Sequence, residues 1–509
     1  MDKQFLLMAF ITLIAVVGGL GFGPFVALVV YYMNAVLRPQ NLWMHVTSVR
    51  ETSWSLYTAI IAILSAFLYR LGLVGYASSG ATRGAKVPVW NAVHWSFLFF
   101  AIWITIRYTL TTFYGEPVDV KRSDVIFNEY YKMFVMWIVA SQVIYRLSQL
   151  WFLLTVIALA AAYVGLEANM IYFRFRYNSI QRNGFGGLDN NGAGLMLAMA
   201  IPLCYFLWEG TRHRFRWVYL ACIPFLVHAV MLTFSRGAML STLVCTPVIF
   251  LFSRHKRFLL VLGAVACAGV IATAGPELRE RFLSVKQHDL DASANERKTT
   301  WRIATMLATD NPFFGLGLRC SQRHVGKYGA AENQAIHSQY FQLAVDAGWV
   351  GMGLFVVLVG STIWTCYRFW WATRKWPSYP EVNQARALAG AVSSSIVLYS
   401  FGAIFLSLDN FEMPYILFMI VAQMWGVYKG GGIQALAMAN GSLSDPKYAA
   451  LNPKYRKPPN PLVEMYRKAA PRRTPYPGNP APIPLVPVNP APSSPITPAM
   501  TYQPQQPIT

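Results

Sequence analysis

Long apolar runs, most of them near the length that crosses a lipid bilayer, recur along this chain between short polar connections. A spanning helix needs about 20 such residues. Runs of this kind stand at Ser53–Leu71, Val93–Thr112, Met133–Tyr145, Phe152–Ala168, Gly192–Trp208, Val218–Phe234, Phe258–Ala274, Val350–Tyr367 and Ala387–Leu406. Most are flanked by Arg, Lys or aromatic residues, as helix ends at a lipid interface are. A soluble core does not need so many separate long runs. The first run, Phe5 to Met33, is interrupted by Gly18, Gly19, Gly21, Gly23 and Pro24, and fits either one bent helix or a short hairpin. The pattern predicts an all-α polytopic membrane protein with about 12 transmembrane helices. Met1 to Lys3 and the apolar residues after them read as a retained anchor, because no convincing small-residue cleavage site follows.

Composition agrees with the pattern: 55% of the 509 residues are hydrophobic and only 13% are charged, against about 25% charged in soluble domains. The formal net charge of +21 invites a nucleic-acid reading. Its distribution argues against one. Lys and Arg gather in short connections, at Arg212, Arg214 and Arg216, at Arg254, Lys256 and Arg257, and at Arg368, Arg374 and Lys375. That is the signature of cytoplasmic turns. The acidic connection from Asp409 to Glu412 then faces outward, and so does the long polar segment 275–348, read as one large periplasmic loop. From Gly430 the chain is rich in Pro, Ala, Asn and Gln, so 430–509 reads as a disordered cytoplasmic tail behind a transmembrane domain, 1–429. The cysteines show neither metal-ligand spacing nor a disulfide framework, and Cys320 stands alone in the large loop.

Four polar segments carry candidate chemistry. Gly186-Gly187-Leu188-Asp189-Asn190-Asn191 precedes an apolar run, where by itself it is a helix cap. Thr233-Phe234-Ser235-Arg236-Gly237-Ala238 wedges an arginine between two apolar runs, a placement that calls for a partner. The large loop carries Asp289-Leu290-Asp291, then Arg297, Trp301 and Asn311-Pro312-Phe313-Phe314-Gly315-Leu316-Gly317. Asp289 and Asp291 match the short acidic motif of metal-dependent glycosyltransferases, but no strand–helix alternation surrounds them. Last comes Ala335-Ile336-His337-Ser338-Gln339-Tyr340-Phe341, followed by Asp346-Ala347-Gly348. Helical spacing places His337, Tyr340, Phe341 and Ala344 on one face.

Taken together and in this order, the segments resemble the O-antigen ligase superfamily, which includes lipid A-core:surface polymer ligases, O-antigen polymerases and protein O-glycosylation ligases. The matching residues are Asp189-Asn190-Asn191, Ser235-Arg236-Gly237-Ala238, Arg297 with Trp301 and Asn311-Pro312 through Gly315-Leu316-Gly317, and His337-Ser338 with Tyr340-Phe341. Met33-Asn34-Ala35-Val36-Leu37-Arg38-Pro39 also looks like the Met-Asn-Pro region of the exosortase-linked branch, with Ala35 in place of proline.

The resemblance implies a GT-C-like, inverting membrane glycosyltransferase that needs no cofactor and no metal. Its donor is an undecaprenyl-diphosphate-linked glycan and its acceptor a sugar hydroxyl of lipid A-core, joined at the periplasmic face of the bacterial inner membrane. Membrane lipids are its surroundings, and no nucleic acid is a partner. Carried over by position, His337 activates the acceptor, Arg236 and Arg297 bind the diphosphate, and Asp189, Asn190, Asn191 and Tyr340 support them. The other readings are a polymerase or protein-acceptor ligase of the same fold, and a lipid or glycan transporter. Against transport stands the absence of an internal repeat.

Overall fold

The computed structural model describes residues 2–74, 90–273, 292–331, 333–376, 378–409 and 411–439. Among them every long element is a helix. The first apolar run is a hairpin: α1 (Lys3–Gly21) and α2 (Phe25–Leu37) pack together across a turn in which Gly23 takes φ 116°. Then follow α3 (Trp54–Arg70), α4 (Ala92–Tyr114), α5 (Pro117–Val143) and α6 (Leu147–Phe175). The next helices are α7 (Asn190–Gly210), α8 (Arg216–Leu232), α9 (Arg236–Phe252) and α10 (Lys256–Thr273). The polar segment contributes α11 (Ala292–Asp310), and α12 (Gln339–Thr373), α13 (Pro380–Gly402), α14 (Met413–Lys429) and α15 (Gly432–Ala439) complete the described chain.

Among the described residues five helices are long and apolar enough to cross a membrane: α1, α4, α6, α7 and α12, with shorter apolar helices at α3, α8 and α9. Many of their large apolar side chains face outward, among them Phe10, Phe67, Phe99, Leu243 and Trp364. An outward apolar surface of this kind fits a lipid solvent, and the chain is a helical, multi-pass membrane protein.

The centre of the bundle is α7, buried along almost its whole length, as a helix apolar on every side must be. It packs most closely on α13 through small residues. A Cβ on Gly402 would meet Leu195 at 2.3 Å, one on Gly390 would meet Phe206 at 2.6 Å, and Ser395 Oγ donates to the Met199 carbonyl at 2.8 Å. Small side chains let two backbones approach where burial alone does not drive helices together.

One helix is broken on purpose. Within α12, Gly348 takes φ 74° and ψ 174°, which frees the carbonyls just before it. The Asn311–Gly317 turn occupies the break: Leu316 N donates to Val345 O at 2.7 Å, Gly317 N to Asp346 O at 3.0 Å, and Trp349 N to Pro312 O at 2.8 Å. The fit leaves no room for side chains. A Cβ on Gly348 would lie 2.0 Å from Phe313 O, and one on Gly315 2.4 Å from Val345 O. The Asn-Pro and Gly-Leu-Gly of the sequence motif are thus the hydrogen-bond partners of a kinked helix.

The antiparallel helices give the bundle two unlike ends. The basic turns before α8 and α10 share one end with the C-terminus of α12 and the N-terminus of α13, where Arg254 pairs with Glu209 at 3.3 Å and Arg386 donates to Thr373 O. The starts of α7, α9, α12 and α14 lie at the other, joined by Asn190 Nδ2 to Thr233 O at 2.9 Å and by Gln339 N to Ala403 O at 2.8 Å.

Two details differ from the sequence reading. Cys320, read there as standing alone in the large loop, is fully buried, its thiol 3.6 Å from Ser123 Oγ. Burial pushes that thiol up to about 12. The region after 429, read there as tail, begins with α15, whose Ile433 and Ala437 are buried against α13 and α14. Their apolar side chains override the Gly-rich approach. A stop codon after Ala439 should therefore leave the thermal midpoint in detergent unchanged. One after Lys429 should lower it, since uncovering the Ile433 site alone costs about 1.5–3 kcal/mol.

Candidate functional site

The site end of the bundle is built from turns that glycine and caps shape. Gly184, Gly186 and Gly187 take φ values of 62°, 64° and 77°, closing a tight turn in which Phe185 and Leu188 exchange backbone hydrogen bonds at 3.0 Å. Asp189 then caps α7, its Oδ1 accepting from Gly192 N at 2.8 Å, while Oδ2 accepts from Asn191 Nδ2 at 3.2 Å. Ser235 caps α9 by accepting from Ala238 N at 3.2 Å, directly after Phe234 at φ 53°. The two caps touch, since a Cβ on Gly194 would meet Thr233 Oγ1 at 2.7 Å and Ser235 at 3.2 Å. Arg236 therefore begins its helix beside the Asp189–Asn191 segment.

His337 is not on a helix. It takes φ 54°, and α12 starts only at Gln339. The single helical face expected from spacing does not form, because a left-handed residue ahead of the cap redirects the chain. Tyr340 turns to the core and donates to Ser400 O at 2.9 Å, whereas the ring of Phe341 stands 5.8 Å from Trp301 on α11. Tyr340 braces α12 on α13. The hydroxyl of Ser338 is buried and has no hydrogen-bond partner among the described residues, a state that favours any group able to bond it.

His337 is half-buried, and the charges acting on it are those of Arg297, Asp189, Glu296 and Arg319. Burial holds its imidazole below the ordinary value of 6.5, and the Arg297 charge adds to this; Asp189 and Glu296 pull the other way. The charges of Arg297 and Asp189 thus both reach His337, and Arg236 begins α9 beside the Asp189–Asn191 segment. Asp289 and Asp291 lie outside the described residues.

Sequence reasoning named Asp346 and Asp409 but found neither their partners nor a role for them. Arg319, at φ 57°, pairs through Nε with Asp409 at 2.5 Å, and its backbone N–H donates to Asp346 Oδ2 at 2.9 Å. Asp409 also accepts from Gln339 Nε2 at 3.0 Å, and Asp346 from Gln342 Nε2 at 2.9 Å. Gln342 Nε2 lies 3.1 Å from Ser321 Oγ as well. Both carboxylates are buried, so the network depends on these partners. A signal existed: the 409–412 connection carries acids where other connections carry bases. It points to no partner, because Asp409 stands 90 residues from Arg319.

A bundle of apolar helices with polar caps and charged side chains at its ends has the build of a multi-pass membrane protein. Residues 221–356 of the chain match the family model described as O-antigen ligase, Wzy_C, whose members transfer glycans. No curated protein matches the chain. The matched segment runs from α8 into α12 and contains Arg236, Arg297 and His337.

The acid limb of the pH–rate profile should fall below 6.5 if His337 must be neutral to act. Asp189→Asn removes a charge that raises its pKa and should move the limb lower still. Arg297→Gln removes one that lowers it and should move the limb up.

Proposed function

We propose that this chain is an O-antigen-type glycan ligase, moving a glycan from undecaprenyl diphosphate to a sugar hydroxyl of lipid A-core. The observation that carries the reading is the family match spanning Arg236, Arg297 and His337, supported by the charges of Arg297 and Asp189 that act on His337. In this reading about 12 helices form a GT-C-like body in the bacterial inner membrane. The basic turns lie in the cytoplasm and the site end faces the periplasm.

The residues suit such a transfer. A sugar hydroxyl is a weak nucleophile, and a neutral imidazole can take its proton as the new bond forms at the anomeric carbon. The bond from that carbon to the diphosphate oxygen breaks, and the electron pair leaves with the diphosphate. Arg236 and Arg297 would hold that growing charge, because guanidinium binds phosphate oxygens through two donors and stays charged. Asp189 would steady the imidazolium. Direct displacement inverts the anomeric centre.

A strain lacking this chain should make core without a polymer ladder while polymer accumulates on the lipid carrier. Core carrying a single repeat would identify a polymerase instead. His337→Ala should cut transfer about 10²–10⁴-fold with normal membrane abundance and intact donor binding; full transfer would reduce His337 to a boundary residue. Arg236→Lys keeps the charge and loses the planar fork, so donor use should drop at least about tenfold.

A further inference from the structure

We propose that Arg38 is a positioning residue for this site, its guanidinium fixing the 184–189 turn and thereby the Asp189 cap of α7. The proposal rests on the catalytic reading given above. Arg38 is locked in place before its side chain begins. It ends α2 at φ 41° and ψ 66°, its N–H donates to Asn34 O at 2.9 Å, and its carbonyl accepts from Asn41 at 2.8 Å and Leu42 at 3.0 Å. Pro39 follows and keeps it out of the helical region. A non-glycine residue held in this conformation costs free energy, and such positions gather at functional sites.

The side chain then spans 148 positions of sequence to donate from Nη1 to the Gly186 carbonyl. Gly186 leaves the space this needs, for a Cβ there would lie 2.6 Å from Arg38 Cδ and 3.4 Å from Nε. Three residues later Asp189 caps α7, and its charge is among those that raise the His337 pKa. Arg38, Gly186, Leu188 and Glu412 line one recess of about 10 Å³, room for roughly one water molecule and not for a sugar. The contact therefore holds the turn and does not itself bind the glycan. Lysine could supply the charge and a donor, but not the planar guanidinium that this backbone aims at the Gly186 carbonyl.

A purely structural role would change stability and leave the titration of the site alone. A positioning role predicts more. The groups facing His337 are Arg297 and Glu296 on α11, Asp189 on the turn and Arg319 on the following loop. Of these Arg38 governs Asp189. Loosening the turn should act on the pH profile as Asp189→Asn does.

The test uses the full chain in lipid nanodiscs with Arg38→Ala, Arg38→Lys, Gly186→Ala and the Arg38→Ala/Gly186→Ala pair. Thermal midpoint, undecaprenyl diphosphate binding and transfer rate against pH are measured for each, with Asp189→Asn and His337→Ala as references. Arg38→Ala and Gly186→Ala should each lower the rate about tenfold to 10²-fold, shift the acid limb down with Asp189→Asn, and leave undecaprenyl diphosphate binding within about twofold. Lysine should recover part of the rate, and the pair should be no worse than its worse single. If Arg38→Ala does not fold, Gly186→Ala and Arg38→Lys carry the same comparison. An acid limb that stays at the wild-type value in the Arg38 and Gly186 variants, or rate losses that multiply in the pair, overturns the proposal. Full activity of His337→Ala overturns instead the catalytic reading beneath it.

Discussion

The site depends on one break in one helix. At Gly348 the backbone of α12 leaves helical geometry, and the carbonyls of Val345 and Asp346 lose their partners along the chain. An unpaired carbonyl in an apolar bundle is costly. The Asn311–Gly317 turn pays that cost by donating from Leu316 and Gly317, and only glycine at Gly315 and Gly348 lets the two backbones meet. Docking the turn there sets the start of α12 against α11. It also brings Arg319 over Asp346.

From that docking follows a buried polar network that no local rule would predict. Asp346, Asp409 and Arg319 come from a helix and two separate loops, and Gln339 and Gln342 complete their hydrogen bonds. Buried charges are tolerable when each has partners in good geometry, and breaking one pair is expensive. Asp409 holds Arg319 and Gln339 at once, so the loop before α14 restrains the residues that flank His337. Arg38, Phe234, Arg319 and His337 all take positive φ. Their gathering at one end of the bundle is backbone strain sustained by the surrounding contacts.

In the proposed reading, chemistry at this end rests on opposed effects at one imidazole. Burial and Arg297 favour the neutral ring, and Asp189 favours the charged one. A general base needs both tendencies, the first before proton transfer and the second after it. The cap geometry that places Asp189 also joins α7 to α9, so the segment bearing Arg236 is tied to the segment acting on His337.

Much of this was legible in the residues alone. Apolar period and length determined the helices, the basic turns separated the two ends, and the order of four polar segments determined the family resemblance. Each of these is a local property, set by side-chain solvation within a few turns of chain. Tertiary structure decided the rest. It alone resolved the first run into a hairpin, buried Cys320, continued the bundle into α15, and took His337 off the helix that its spacing suggested. It alone paired Arg319 with Asp409 and Arg38 with Gly186. Hydrogen bonds between distant segments and positive φ at non-glycine residues leave no periodic trace in a sequence, because their free energy comes from partners that only the folded chain assembles.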